Sequence, residues 1–379
     1  MLDRLTVHWH SECEGPAMVL QGTFRILLLY DVADSINLER LKSILQIRPS
    51  ERLPSFMHPT PEYVRFELPP VIEPLEPIEL ETGDRLQARI KYYDYGVSSL
   101  EMELPFSCEW DALVELSTQW IAAPGIEKRA MEVMRRGLKR AAPALVKAYS
   151  SLLAEDYYII ELREARSPDG RPAMAGELLD CHGQEIAQII RGESRLLSGV
   201  EREQILRSSL SYYPSDLLVV GWTAALVYDT AEGAAPTIQL LEYANSQLLE
   251  FRHYDNLLTR VLDKVYRSLE RHSGPVARWR MAREAERLNM IRLDVMELAE
   301  RTDNAIKFLS DMFYARLYRM AAERVGVPDY RRLVDEKLRT AGELYQFMVD
   351  QFEHARSFVL ELSIVIILII DLIFLFKGK

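Results

Sequence analysis

Cysteine is scarce in this chain of 379 residues, which holds only Cys13, Cys108 and Cys181, with no CxxC pair among them. A disulfide framework is excluded, and the usage suits a reducing compartment. Motifs with a built-in chemistry are missing as well. No GxGxxG, no GxxxxGKS or GxxxxGKT, no HExxH and no GxSxG occurs, so the common dinucleotide, phosphate, zinc-protease and serine-hydrolase signatures are absent. Positive charge is in deficit, with 46 Lys and Arg against 57 Asp and Glu and a net charge of −11. That argues against broad nucleic-acid binding, although a local basic patch can override the sum. The opening segment MLDRLTVHWHSECEGP has no apolar run of signal-peptide length and carries Asp3, Glu12 and Glu14, which a transit peptide avoids. The bulk of the chain is therefore expected in the cytosol.

One long hydrophobic run is present. Between 357 and 376, sixteen of twenty residues are Leu, Ile, Val or Phe. As a helix they rise about 30 Å, the hydrocarbon thickness of a bilayer. Their insertion is worth on the order of −7 kcal/mol, against about 2.5 to 3.5 kcal/mol for an acid at the centre. The run predicts a single C-terminal transmembrane helix, a tail-anchored topology and the lipid bilayer as a partner. Glu361 and Asp371 lie inside it. Glu361 can reach towards headgroups, whereas Asp371 is either protonated near the far interface or paired with a polar group on another membrane helix. The second option implies a homo-oligomer or a membrane-protein partner.

The rest divides by pattern. Residues 1–125 read as an α+β domain: GTFRILLLYDV and EYVRFELPP have strand character, SINLERLKSIL and EWDALVELSTQWI helical period, and RLQARIKYYDYGVSSLEMELPF two strands turning near Gly96. The order resembles a ferredoxin-like unit. Residues 126–235 form a second α+β part of the head. It holds a basic helical stretch at 126–152 interrupted by Pro143, a strand DYYIIEL, and SDLLVVGWTAALVYD as two core strands broken near Gly221. Residues 236–356 are expected as a helical coiled-coil stalk. One seam runs Leu288, Ile291, Val295, Leu298, Thr302, Ala305, Leu309, and another Val334, Leu338, Ala341, Tyr345 and onward into the span. The expected fold class is thus α+β: a head resembling ferredoxin-like units, a long helical hairpin, and a transmembrane helix at 357–376.

Candidate sites are few. The stretch YANSQLLEFRHYDN is the densest polar-aromatic patch, and Glu242, Asn245, Glu250, Arg252, His253 and Asp255 could face a partner or line a pocket. Arg135, Arg136, Lys139 and Arg140 form a basic patch for an anionic partner such as RNA phosphate or lipid, the plain reading being a solvated helix face. His8, His10 and Cys13 are plausible metal ligands too few for a zinc site, and Cys181 beside His182 does not share a helix face with it. No cofactor and no metal is expected.

Several segments in order resemble the family containing bacterial YagE proteins and the eukaryotic "required for meiotic nuclear division" proteins. They are LLLYDVADSINLERL, YVRFELPP, YYDYGVSSLEMELPF, DLLVVGWTAALVYD, LLEYANSQLLEFRHYDNLL, DVMELAERTDNAIKFLSDMFYARLYRMA and LELSIVIILIIDLIF. That resemblance implies a membrane-anchored protein with a cytosolic or matrix-facing head and no known catalytic motif. The absence of a transit-like start favours the cytoplasmic membrane of a prokaryote. The expected function is a membrane-tethered scaffold or adaptor, the lack of motifs leaving an enzyme reading little to stand on. The alternatives are a membrane-bound enzyme or ligand sensor with a pocket near 242–256, and a ribosome or RNA tether.

Overall fold

The run RILLLYDV is apolar at nearly every position, which is the pattern of a strand covered on both sides rather than one. The computed structural model describes residues 18–46, 69–79, 83, 85–121, 123, 125–167, 169–270, 286–287, 289–293, 295–296 and 312–377, the side chains of 268–270, 348–362 and 371–377 excepted. The expected strand EYVRFELPP for the most part, the HWHSEC cluster and seam positions 298–309 lie outside the described residues.

Among the described residues nine strands form one sheet: β1 (Val19–Ile36), β2 (Val71–Pro74), β3 (Ile78–Glu79), β4 (Arg85–Tyr92), β5 (Val97–Cys108), β6 (Leu145–Arg166), β7 (Ser209–Leu210), β8 (Leu217–Val220) and β9 (Ala224–Tyr228). Their spatial order is β2-β4-β5-β1-β6-β9-β8-β7, with β3 on β4. All pairs are antiparallel except β6 with β9, where α4 (Ala175–Arg191) lies in the connection. Along β1, Phe24, Ile26, Leu28 and Tyr30 enter the main core with α1 (Leu38–Leu45), α2 (Trp110–Trp120), α3 (Ile126–Ala141), α4 and α5 (Gly199–Leu206). Each such side chain contributes about 1.5–3 kcal/mol by leaving water. The alternate residues Arg25, Leu27, Leu29 and Asp31 point the other way and are buried too.

That second face is covered by α6 (Ala231–Glu270), as far as Leu249, and by α7 (Met312–Val325). The chain separates into two compact units, Met1–Leu249 with Ala305–Val327, and Glu250–Asn304 with Pro328–Lys379. The second contains the remainder of α6 and most of α8 (Val327–Lys377), joined by an ion pair from Lys337 to Asp255.

The fold is therefore mixed α/β, a large sheet with helices, and it extends well past a ferredoxin-like unit. Among the described residues no helix is long and apolar enough to cross a membrane. This overturns the expected transmembrane helix at 357–376, and with it the tail anchor and the single-pass cytoplasmic-membrane localisation. The continuous run of exposed apolar side chains described on α8 is that at 364–370, which rises about 10 Å, a third of a hydrocarbon core. Glu361 and Asp371 are helical residues whose side chains lie outside those described.

The second face is where the sheet stores charge. Arg25 in β1 donates to Glu161 on β6 at 2.9 and 2.6 Å, to Glu101 on β5 at 2.6 Å, and to Glu103. Arg89 on β4 donates twice to Glu101 at 2.8 Å, and Arg163 reaches Glu161 at 3.1 Å. Lys91 lies 2.8 Å from Glu101 and 2.5 Å from Glu242 of α6. Four cations thus meet four carboxylates, and Lys91 carries the set from sheet to helix. Burial alone would raise the Glu101 pKa, but Lys91, then Arg89 and Arg25, outweigh it and hold that carboxyl well below the usual range. Lys91 is raised despite its burial, through Glu101 and Glu242.

Close backbone approach matters as well. At Gly22, beside a register shift in the β1–β6 ladder, an added Cβ would sit 2.0 Å from the Glu161 carbonyl oxygen.

Three outcomes follow from this packing. Gly22→Ala should cost about 1–3 kcal/mol in urea unfolding, as overpacking does, and shortening Phe106 should not rescue it because the obstacle is backbone. Lys91→Met should cost about 3–5 kcal/mol by stranding buried carboxylates, with part recovered on adding Glu242→Gln; an unmoved midpoint would remove Lys91 from the account. The depressed Glu101 lends stability fully present above 4.5, the unfolded value, and lost as pH falls towards its folded value. Glu101→Gln should therefore flatten the acid limb of a stability-against-pH series.

Candidate functional site

The polar set expected to face a partner is turned inward for much of its length. Glu242 and Asn245 are buried against the sheet unit, Glu242 paired with Lys91 and Asn245 donating to the Leu241 carbonyl at 2.8 Å. Ser246 shares a 2.8 Å hydrogen bond with the Tyr95 hydroxyl. Burial, and then the Glu242 charge, push the Tyr93 hydroxyl up strongly. Glu250 is buried, and Arg252, His253 and Asp255 are half-buried. Asp255 is held by Lys337, which also reaches Thr259 at 2.6 Å. From 240 to 249 the helix has buried apolar residues on most sides, such as Leu240, Leu241, Leu248 and Leu249, and has no face left to show Glu242 and Asn245 to solvent.

The basic patch sits on α3. Ile126, Ala130, Val133, Met134 and Gly137 bury one face of that helix, leaving Arg135, Arg136, Lys139 and Arg140 exposed on the other. Arg140 is committed: it donates to Glu73 at 2.6 and 2.9 Å, and Tyr92 donates to the same carboxylate at 2.7 Å. Among the described residues no carboxylate pairs with Arg135, Arg136 or Lys139. His182 stacks on Trp110 with ring centroids 4.7 Å apart, so its imidazole serves packing between α2 and α4. Among the described residues no group of three or more His, Cys, Asp or Glu could hold a metal ion.

A depression at the β7–β8 end of the sheet was not singled out by the sequence. The turn SYYPSD is tied by Asp216, whose carboxylate accepts the backbone N–H groups of Tyr212 and Tyr213 at 2.8 and 2.7 Å. The two rings meet edge to face at 4.7 Å, and Tyr212 meets Phe313 of α7 the same way at 5.1 Å. With Tyr314 these rings border about 490 Å³ of empty space, open mouth included, which the half-buried Asp229 also lines. Asp229 accepts the Thr230 N–H at 2.6 Å just before α6 begins. A Cβ at Gly233 would come within 2.2 Å of its Oδ2, so glycine lets the first turn of α6 rest on that carboxylate. Burial raises the Asp229 pKa and nearby Asp216 adds to it, against the Thr230 hydrogen bond. The one sequence signal was the aromatic doublet followed by Pro214 and Asp216, a turn that presents rings; Phe313 lies too far along the chain to be associated with it.

The chain spans about half the length of the curated relative it matches. That relative, described as the uncharacterized protein MJ0711 of Methanocaldococcus jannaschii, is 19% identical over 170 residues, 45% of this chain and 52% of that protein. No solved structure matches the chain. The family model that matches is described as "Uncharacterized protein MJ0711, N-terminal domain" and covers residues 21–235. This overturns the resemblance to the YagE and meiotic nuclear division family. That resemblance rested on short segments such as YYDYGVSSLEMELPF and DLLVVGWTAALVYD, which are the alternating and fully apolar patterns any covered sheet requires. The matched span runs from the first residues of β1 through β9 into the first turn of α6, more than half of the sequence, and the chain belongs to the family of the MJ0711 N-terminal domain.

Proposed function

We propose that this protein is a scaffold or adaptor whose α/β unit presents a surface to a protein partner. The observation that carries the reading is the division of its polar and aromatic groups. The charges beneath α6 are spent on one another, and the stretch 242–250 is buried, Glu242 being paired with Lys91. The aromatic side chains at the β7–β8 end are held out instead, Tyr212 and Tyr213 being 47% and 41% exposed and Met312 beside them 75%. Tyrosine and methionine are enriched at interfaces, and a rigid ring loses little entropy on contact.

A second reading has its own support. Arg135, Arg136 and Lys139 project from α3 without a carboxylate partner among the described residues, which fits contact with RNA phosphate, including a ribosome.

The test is capture with the full chain followed by rebinding of the purified partner. A protein that rebinds saturably, and about tenfold more weakly to Tyr213→Ala in keeping with loss of a buried anchor, supports the adaptor. No rebinding protein, or equal affinity for Tyr213→Ala, rejects it. Salt-sensitive co-sedimentation with ribosomes that Arg135→Glu with Arg136→Glu abolishes would favour the second reading.

A further inference from the structure

We infer that the depression at the β7–β8 end takes the cationic head of an arginine or lysine side chain from the protein partner. This deepens the adaptor reading and rests on it. Four rings, those of Tyr212, Tyr213, Phe313 and Tyr314, border a space that also meets the carboxylates of Asp216 and Asp229, and none of the described residues lining it is basic. An aromatic face attracts a cation through its quadrupole, and a carboxylate behind it supplies the counter-charge. The same two carboxylates repel an anion.

The surroundings fix the roles. Asp216 uses both oxygens on its own turn, accepting from Tyr212 and Tyr213. It therefore positions the rings and adds field. Asp229 has its Oδ1 on the Thr230 N–H and its Oδ2 against Gly233, and it is the second acid lining the space. Its pKa is raised mainly by burial and then by Asp216, and a bound cation would relieve both. The geometry also selects the source. A pocket for a free small molecule usually encloses most of its ligand. This one is open-mouthed, with Tyr212 and Tyr213 half-exposed and Tyr314 buried, which suits a side-chain head whose remaining contacts lie on the surface around it.

The experiment titrates the full chain calorimetrically with N-acetyl-arginine amide and N-acetyl-lysine amide, with N-acetyl-glutamine amide as the neutral control. Saturable binding of a cationic analogue, no binding of the neutral one, and about fivefold weakening by Asp229→Asn and by Tyr213→Leu, the size of one exposed cation–π contact, support the site. Asp229→Asn is nearly isosteric, and Tyr213→Leu leaves the Asp216 turn its backbone donors, so a folding defect in one is checked by the other. In the partner arm, Asp229→Asn should weaken rebinding by a similar factor. If neither cation binds, or if binding ignores Asp229, the site is refuted while a partner that still rebinds leaves the adaptor reading standing. If the analogues bind but no partner exists, the adaptor reading and this assignment of source both fall, leaving free amines as the ligand. A change in oligomeric state on Asp229→Asn would overturn the assignment in favour of a second copy.

Discussion

A guanidinium in the middle of a covered strand must be met from both sides, and Arg25 is met by Glu161 on β6 and by Glu101 and Glu103 on β5. Register makes this possible. Arg25 stands opposite Glu103 and one step from Glu101, which in turn stands opposite Arg89. Slipping β1 by one residue would turn Arg25 into the main core and bring Phe24 under α6. Buried ion pairs add little net stability compared with apolar packing, but breaking one leaves a charge stranded. The cluster therefore discriminates among pairings more than it adds to the free energy of folding. Through Lys91 and Glu242 it extends the same discrimination to the placement of α6.

This explains what the sequence disclosed and what it withheld. Runs of apolar residues located β1, β8 and β9, since a strand packed against apolar groups on both faces loses its polar alternation. The alternation of Arg85, Gln87, Arg89 and Lys91 with Leu86, Ala88 and Ile90 is the pattern of a half-solvated strand, and it did locate β4. It could not reveal that the charged face is covered, because the cover comes from α6 some 150 residues later. For the same reason Glu242 and Asn245 looked like surface groups. A charged residue on a helix buries only if a partner of opposite charge waits, and Lys91 is remote in sequence; Asn245 is satisfied by the Leu241 carbonyl.

The boundary at Pro143 shows a local rule misapplied. The basic stretch from Ile126 was read as helical to 152, yet α3 ends at Ala141 and the chain passes through a 3-10 turn at Ala142–Ala144 into β6 at Leu145. Proline removes a donor and clashes with the preceding turn, so it ended the helix rather than kinking it. The residues after it then joined the long ladder with β1, which runs from Ile36 opposite Leu145 and Ser35 opposite Val146 back to Val19 opposite Arg166, with register shifts at Asp31–Ala33 and Gln21–Gly22. Tertiary pairing decided what local propensity left open.

The aromatic depression belongs to a different level of organisation from the sheet. Tyr212, Tyr213, Asp216 and Asp229 fall within the matched residues 21–235, whereas Phe313 and Tyr314 fall outside them. The shared domain therefore supplies the turn, the acids and two of the rings, and α7 supplies the other wall. A chain that kept the sheet but carried different residues where Phe313 and Tyr314 stand would keep Asp229 at the start of α6 and lose half of the cage around it. The sheet can be common to a family while the aromatic depression is completed by a helix that follows it, because the register of β1 fixes the former and the packing of α7 beside β8 completes the latter.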